Sequence, residues 1–199
     1  MELPKIALPE YTVQLHSIKS PVRFRPYLVK EEKIFLIAKE SNDVSDMERA
    51  VRQVLKNCTF NAIDIDVLPS FDLEYLFLQL RAKSVNNVVE LQYRCQKFID
   101  DTKTLRCDNT NTVVIPLDDI QLTINPQHRT TIQLTDDMHI ELQYPTIETV
   151  AHVLQSGKPL QEQPIELLAR TIKTIISRDG TVYETKDYTI TELIEFVES

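Results

Sequence analysis

The stretch Leu68–Ser84, LPSFDLEYLFLQLRAKS, constrains this chain more than any other. Read as a helix at about 100° per residue, it carries two apolar stripes. Leu73, Phe77 and Leu80 cluster on one side, and Phe71, Tyr75, Leu78 and Ala82 on roughly the opposite side. Asp72, Gln79 and Lys83 run along one seam between them, Glu74 and Arg81 along the other. An ordinary surface helix needs one apolar stripe, turned to the core. A helix with two is gripped from both sides, so it is either the central element of its own domain or a platform for a partner.

Glycine usage closes much of enzyme space. The chain has two glycines in 199 residues, Gly157 and Gly180, against roughly 7% in average usage. Neither a G-x-G-x-x-G fingerprint nor a P-loop can be written with them, and a G-x-S-x-G nucleophile elbow is excluded as well. The net charge of −8 argues against a surface that tracks nucleic-acid phosphates, which needs clustered Lys and Arg, and disfavours docking on anionic lipid. No run of about 18 apolar residues predicts a membrane-spanning helix. The first residues, MELPKIALPEY, lack the basic start and apolar core of a signal peptide. Three cysteines, Cys58, Cys95 and Cys107, are few and odd in number, which fits a reducing, intracellular setting.

The periodicity predicts an α+β protein. Residues 1–20 read as extended, punctuated by Pro4, Pro9 and Pro21, with Tyr11, Val13 and Leu15 alternating as a half-buried strand. Residues 22–40 turn helical after Pro26, and Ser41 to Val44 is a polar break. Ser45 and Glu48 then form an S-x-x-E capping box ahead of Met47, Ala50, Val51, Val54 and Leu55 at helical spacing, fraying near Asn57. Ile63, Ile65 and Val67 alternate as a short strand or connector, and Ser70 is the expected N-cap of the two-striped helix. From Val85 the period becomes two. Val89, Leu91 and Tyr93, then Val113, Ile115 and Leu117, predict a long β-hairpin with Cys95 and Cys107 at its tip. Further alternation in Ile120–Ile124, Thr131–Leu134 and His139–Tyr144 extends an antiparallel sheet with one wet face. Helices return over Ile147–Leu154, stopped by Gly157, and from Pro164 through Ile165, Leu168, Ile172, Ile175 and Ile176. Arg178-Asp-Gly-Thr181 is a turn, and Thr189 with Glu192 caps a last helix carrying Leu193, Ile194 and Val197. The expected division is 1–84 (strand plus helices, including the two-striped one), 85–144 (β section) and 145–199 (helices packing back on the first part).

Few residues point to chemistry. Cys95 and Cys107, separated by eleven residues, are weak metal candidates, since zinc sites use four ligands in closely spaced pairs. His16, His128, His139 and His152 have no ligand neighbour at helical spacing and read as structural or solvated. The pairs Glu31-Glu32, Asp100-Asp101, Asp118-Asp119 and Asp136-Asp137 read as solvated faces or turns, because adjacent carboxylates diverge instead of converging on a metal. No catalytic residue and no cofactor is assigned. The segment Val22–Lys33 mixes Arg23, Arg25, Lys30 and Lys33 with Phe24 and Tyr27, a composition enriched where proteins bind proteins and equally that of a helix start with intrahelical ion pairs. The candidate partner-binding residues are therefore Phe71, Tyr75, Leu78 and Arg81 on the two-striped helix, and Arg23, Arg25 and Tyr27.

Two blocks, Val22-Arg-Phe-Arg-Pro-Tyr-Leu-Val-Lys-Glu-Glu-Lys33 and Leu68–Ser84, with Asn57-Cys58 between them and the hairpin and Asp118-Asp119-Ile120 after them, resemble the baseplate hub assembly family of T-even-type contractile-tailed bacteriophages. The resemblance covers residues 20–120 well and the remainder loosely. It implies a non-enzymatic virion-assembly protein whose partners are other baseplate, hub or tail-assembly proteins, in homo- or hetero-oligomers, working in the host cytoplasm and found in the tail baseplate if retained. Relatives of that kind carry C-x-x-C at the hairpin tip, and this chain departs from that pattern. Three functions follow in order: an assembly scaffold or chaperone; a structural subunit of the mature baseplate; and, remotely, a metal-dependent hydrolase built from scattered carboxylates and histidines.

Overall fold

Tyr11–Val13 (β1) and Val22–Phe24 (β2) form an antiparallel pair, Tyr11 opposite Phe24 and Val13 opposite Val22. Val13, Val22 and Phe24 point into the core while Thr12 and Arg23 are exposed. The computed structural model describes residues 8–100 and 102–199; Pro4 and Asp101 lie outside them. The predicted first strand is present. Its partner β2 is an element that sequence patterning missed, because three residues are too few to show a period.

Val29–Ser41 (α1) follows two residues after Tyr27 and ends at Asn42, which takes the left-handed conformation. Val44–Cys58 (α2) buries Ala50, Val54, Leu55 and Cys58 and packs against α1, as its spacing predicts. Its cap differs from the expected one. Asp43 is the N-cap, its carboxylate accepting from the Ser45 N–H at 2.8 Å, and Glu48 binds Arg52 instead. A carboxylate both accepts the orphan N–H and favours the positive helix end, so Asp43 takes the role from Ser45. At the other end the Asn61 N–H bonds Lys56 O at 2.9 Å and the Phe60 N–H bonds Asn57 O at 3.4 Å. That is a Schellman motif with Phe60 at φ 59°.

Ser70–Ser84 (α3) is a helix, as predicted. Ser70 is its first residue, not its cap; the Pro69 carbonyl accepts the Asp72 and Leu73 N–H groups. Leu73, Leu76 and Leu80 form its innermost line, together with buried Asp72 and Ala82, and Leu76 belonged to neither predicted stripe. Val88–Arg94 (β3) and Thr110–Pro116 (β4) form the predicted hairpin, paired from Val88 opposite Pro116 to Arg94 opposite Thr110. The alternation at Ile120–Ile124 makes no strand: residues 121–130 are all exposed, and only Thr130, at the end of the stretch, meets an edge, its carbonyl accepting the Leu142 N–H at 2.7 Å.

Thr131–Thr135 (β5), Met138–Leu142 (β6), Ile172–Ser177 (β7) and Val182–Glu184 (β8) make an antiparallel sheet in the order β5-β6-β7-β8. Ile147–Gln155 (α4) stops ahead of Gly157 at φ 70°. Gln163–Thr171 (α5) runs straight into β7, so Ile172, Ile175 and Ile176 are strand residues, not the helical ones expected. Their β-branched run pairs with β6 across a bulge between Glu141 and Leu142. Ile190–Glu198 (α6) begins with the predicted Thr189–Glu192 capping box. Ile140, Ala169, Ile172, Ile175 and Leu193 form the core here, flanked by Met138, Leu142, Ile194 and Phe196.

The chain divides into two compact units, one holding the residues up to Ile63 with Tyr75–Leu122, the other Asp64–Glu74 with Thr123–Ser199. Helix α3 contributes its first turn to the second unit and the rest to the first.

Phe60 holds a left-handed backbone that costs a side-chain-bearing residue about 1–2 kcal/mol and is 44% exposed, so little packing repays it. Phe60→Gly is expected to raise the unfolding free energy by about 0.5–1 kcal/mol in urea denaturation, whereas Phe60→Ala, which keeps a Cβ, is not.

Candidate interaction surface

The segment carrying Arg23, Arg25 and Tyr27 is built around a buried charge. Strand β2 delivers Arg25, only 9% exposed, into the first unit. Its Nη2 donates to Glu31 Oε1 at 3.0 Å, and its Nη1 to the Pro26 carbonyl at 2.9 Å and to Cys58 Sγ at 3.8 Å. The Arg25 backbone N–H bonds the Cys58 carbonyl at 3.0 Å. Glu31, itself fully buried, accepts from the Leu28 N–H at 2.8 Å, and so caps α1 from its third residue. Burial alone would raise the Glu31 carboxyl; the Arg25 and Leu28 hydrogen bonds, with the Arg25 and Lys30 charges, overcome that and hold it below its ordinary value. Cys58 has no such anionic stabilisation, and burial pushes its thiol up to about 11 despite Arg25.

Tyr27 is half-buried. Its backbone N–H bonds Ser84 Oγ at 3.0 Å, and its ring meets Phe35 edge-on at 5.7 Å, which meets Phe77 the same way at 5.7 Å. Burial raises the Tyr27 phenol above its usual value, with Glu32 adding to it and Arg81 pulling against it. Arg23 stands in solvent beside Glu10, 3.7 Å away. In α3, Tyr75, Leu78 and Arg81 are half-buried, and Glu74 is the one exposed residue from Ser70 to Ser84. Phe71, in the second unit, packs edge-on against Tyr144 at 5.0 Å, and His128 stacks on the same ring at 5.6 Å. Of the seven candidates, Arg23 alone is well exposed.

The surface that sequence patterning left unassigned is the far part of the β3–β4 hairpin. From Gln92 to Val114 every described residue except Cys95 and Asp100 is exposed. The ladder spacing continues past the strands: Cys95 N–H bonds Asn109 O, Cys107 N–H bonds Lys97 O, and Ile99 N–H bonds Leu105 O at 3.0 Å. Opposed residues share a face. One face therefore carries Val89 with Ile115, Leu91 with Val113, Tyr93 with Asn111, and at the tip Ile99 with Leu105. Tyr93, Ile99, Leu105 and Val113 on it are 55, 60, 58 and 42% exposed. The other face carries polar contacts of its own, Arg94 to Asp108 at 3.0 Å and Arg106 to Gln96 and over the Phe98 ring, beside the exposed Val114 opposite Glu90. The tip is tied by Asp100, whose carboxylate accepts the Thr104 and Leu105 N–H groups and the Thr102 and Thr104 hydroxyls. These donors pull it far below the ordinary carboxylate range.

Cys95 and Cys107 share the apolar face, offset by one ladder step, and both are free thiols. Among the described residues no group of three or more His, Cys, Asp or Glu side chains converges as a metal site. Two thiols without further ligands do not fit a tetrahedral zinc. Among the described residues no helix is long and apolar enough to cross a membrane.

A family model, T4 bacteriophage base plate protein, matches residues 8–199. The chain belongs to that family. Its role is thus tied to the phage tail baseplate and to contact with other baseplate proteins, in a family that is generally non-enzymatic. This T4-type baseplate family is a wider group than the hub assembly proteins that the two sequence blocks resemble. No curated protein and no solved structure gives a significant match to the chain.

Three expectations concern this baseplate protein. Arg25→Met removes the buried counter-charge of Glu31, leaving it only the exposed Lys30 at 3.5 Å, and is expected to cost about 3 kcal/mol, while Arg25→Met with Glu31→Leu recovers most of it; urea denaturation of the set measures both. Because Glu31 is depressed in the folded state, its contribution is full above the unfolded carboxyl value of about 4.3 and is lost as pH falls through the lower, folded value. Acid titration of stability should therefore be flatter in Glu31→Gln. Thiol titration at pH 8 should find Cys95 and Cys107 reactive and Cys58 silent until denaturant is added.

Proposed function

We propose that this protein is an assembly factor for the hub of the baseplate, acting by contact with another baseplate protein and not by catalysis. The observation that carries the reading is the hairpin arm, with one face largely engaged in its own polar contacts and the other offering Tyr93, Ile99, Leu105 and Val113 to solvent. An isolated two-stranded hairpin is only marginally stable in water, and covering that face supplies the missing packing. Aromatic and large aliphatic anchors of this kind carry most of the energy in protein interfaces, about 2 kcal/mol or more at each hot spot. Family membership names the class of occupant. The resemblance of Val22–Lys33 and Leu68–Ser84 to hub assembly proteins narrows it to the hub.

Two measurements test the proposal. Tyr93→Asp with Leu105→Asp, both exposed and so tolerated by the fold, is expected to abolish co-purification with the hub components while leaving far-UV circular dichroism and the urea midpoint unchanged. Unchanged co-purification would remove the arm from the argument. Mass spectrometry of purified virions is expected to find the chain absent; stoichiometric presence would replace the assembly factor with a structural subunit.

A further inference from the structure

Helix α1 has an uncovered apolar stripe that is complementary to itself. Its inward line is Glu31, Ile34, Phe35 and Ala38, at positions i, i+3, i+4 and i+7, all buried or half-buried. Its outward line is Val29, Lys33, Leu36, Ile37 and Glu40, all exposed. Val29, Leu36 and Ile37 are 67, 55 and 69% exposed, and Val44, which opens α2 just beyond, is 71% exposed. The two-sided apolar pattern expected of α3 is thus realised with one side open in α1.

The arrangement of this stripe is symmetric about the point between Leu36 and Ile37. Lys33 lies three residues before Leu36 and Glu40 three after Ile37; Val29 lies seven before Leu36, and Val44 lies seven after Ile37 in sequence, past the end of α1 at Asn42. Lys33 and Glu40 are about 10 Å apart along the axis at 1.5 Å per residue, too far to pair within one helix. Among the described residues neither has an ion-pair partner. A second copy of α1 laid antiparallel about a two-fold axis at that point sets Leu36 on Ile37, each Lys33 on the partner's Glu40, and each Val29 toward the Val44 end. Isologous contact of this kind needs a patch complementary to itself, with opposite charges at symmetric positions; a hetero-partner gives no reason for the symmetry.

We propose that α1 is a homodimer contact, formed by a second copy of this chain packed antiparallel across Val29, Leu36, Ile37 and Val44 and keyed by reciprocal Lys33–Glu40 pairs. One helix face is small beside the roughly 1,200–2,000 Å² of a standard interface, so the dimer is reversible and concentration-dependent. The inference is independent of the hub reading and of the hairpin arm, and each can fail without the other.

Sedimentation velocity of the full chain over a concentration series through the micromolar range tests it. A monomer–dimer equilibrium is expected. Lys33→Glu and Glu40→Lys should each weaken it about tenfold, since two pairs become like-charged in each dimer. The double variant Lys33→Glu/Glu40→Lys should restore it, because the two-fold rebuilds both pairs in reverse. Both positions of the cycle are exposed, and far-UV circular dichroism confirms the fold. Leu36→Ser with Ile37→Ser should leave monomer only. Monomer throughout, a dimer indifferent to the single reversals, or a double variant no better than the singles overturns the proposal, as does a monomer whose α1 face is occupied by a different phage protein.

Discussion

Arg25 brings a permanent charge into the interior of the first unit, and three segments meet around it. Strand β2 supplies the guanidinium, the first turn of α1 supplies Glu31, and the end of α2 supplies the Cys58 carbonyl and sulfur. A buried ion pair contributes little net stability, because desolvating both ions offsets their attraction. Its consequence here is geometric. Once Arg25 is inside, Glu31 must stand at one place, and Glu31's second oxygen then fixes the N-terminus of α1 through the Leu28 N–H. The turn from β2 into α1 and the approach of α2 are settled by one charge needing a counter-charge. At Cys58 the same charge favours a thiolate, but burial outweighs it and keeps a thiol there.

Scarcity of glycine shapes the remainder. Both glycines sit at positive φ, and among the described residues Asn42, Phe60, Asn61, Lys103 and Asp108 do the same. Asn and Asp visit this region at low cost; Phe60 and Lys103 do not. Turns are instead made by short polar side chains bonding their own backbone two residues on, as Asp43, Asp64, Asn86, Asn125 and Asp179 do. Asp179 is pulled down to about 2 by Ser177 and Thr181. Asp43, Asp64, Asp100 and Asp179 are thus engaged in building turns, and among the described residues no group of three or more His, Cys, Asp or Glu side chains converges as a metal site.

Elements with a long, clean period were legible in the sequence. The buried face of α2, the β3–β4 hairpin and the capping box of α6 all follow from residue order alone. What was not legible depended on a partner elsewhere in the chain. Ile172, Ile175 and Ile176 satisfy helical spacing as well as strand spacing, and only β6 alongside them, with a bulge, selects the strand. Ile120–Ile124 alternates correctly and forms nothing, for want of an edge. The candidate surface shows the same limit. An Arg amid aromatics reads alike whether it faces a partner or a buried glutamate, although Glu31, placed three residues into a helix, was a visible hint. Conversely, the wheel of α1 held both of its stripes in plain order, and nothing in the order of residues said which would stay wet.

The hairpin arm shows how preparation for binding can be written into a surface. Ordering a segment at the moment of association subtracts from affinity. Here the seven-pair ladder, the Arg94–Asp108 pair and the Asp100 knot at the tip set the arm's geometry beforehand. The ladder and the knot work through backbone and hydroxyl groups and the ion pair lies on the other face, so none draws on the side chains of Tyr93, Ile99, Leu105 or Val113. The interactions that hold the arm in shape are therefore separate from those left for a partner, so the apolar face can be covered without dismantling what keeps it in position.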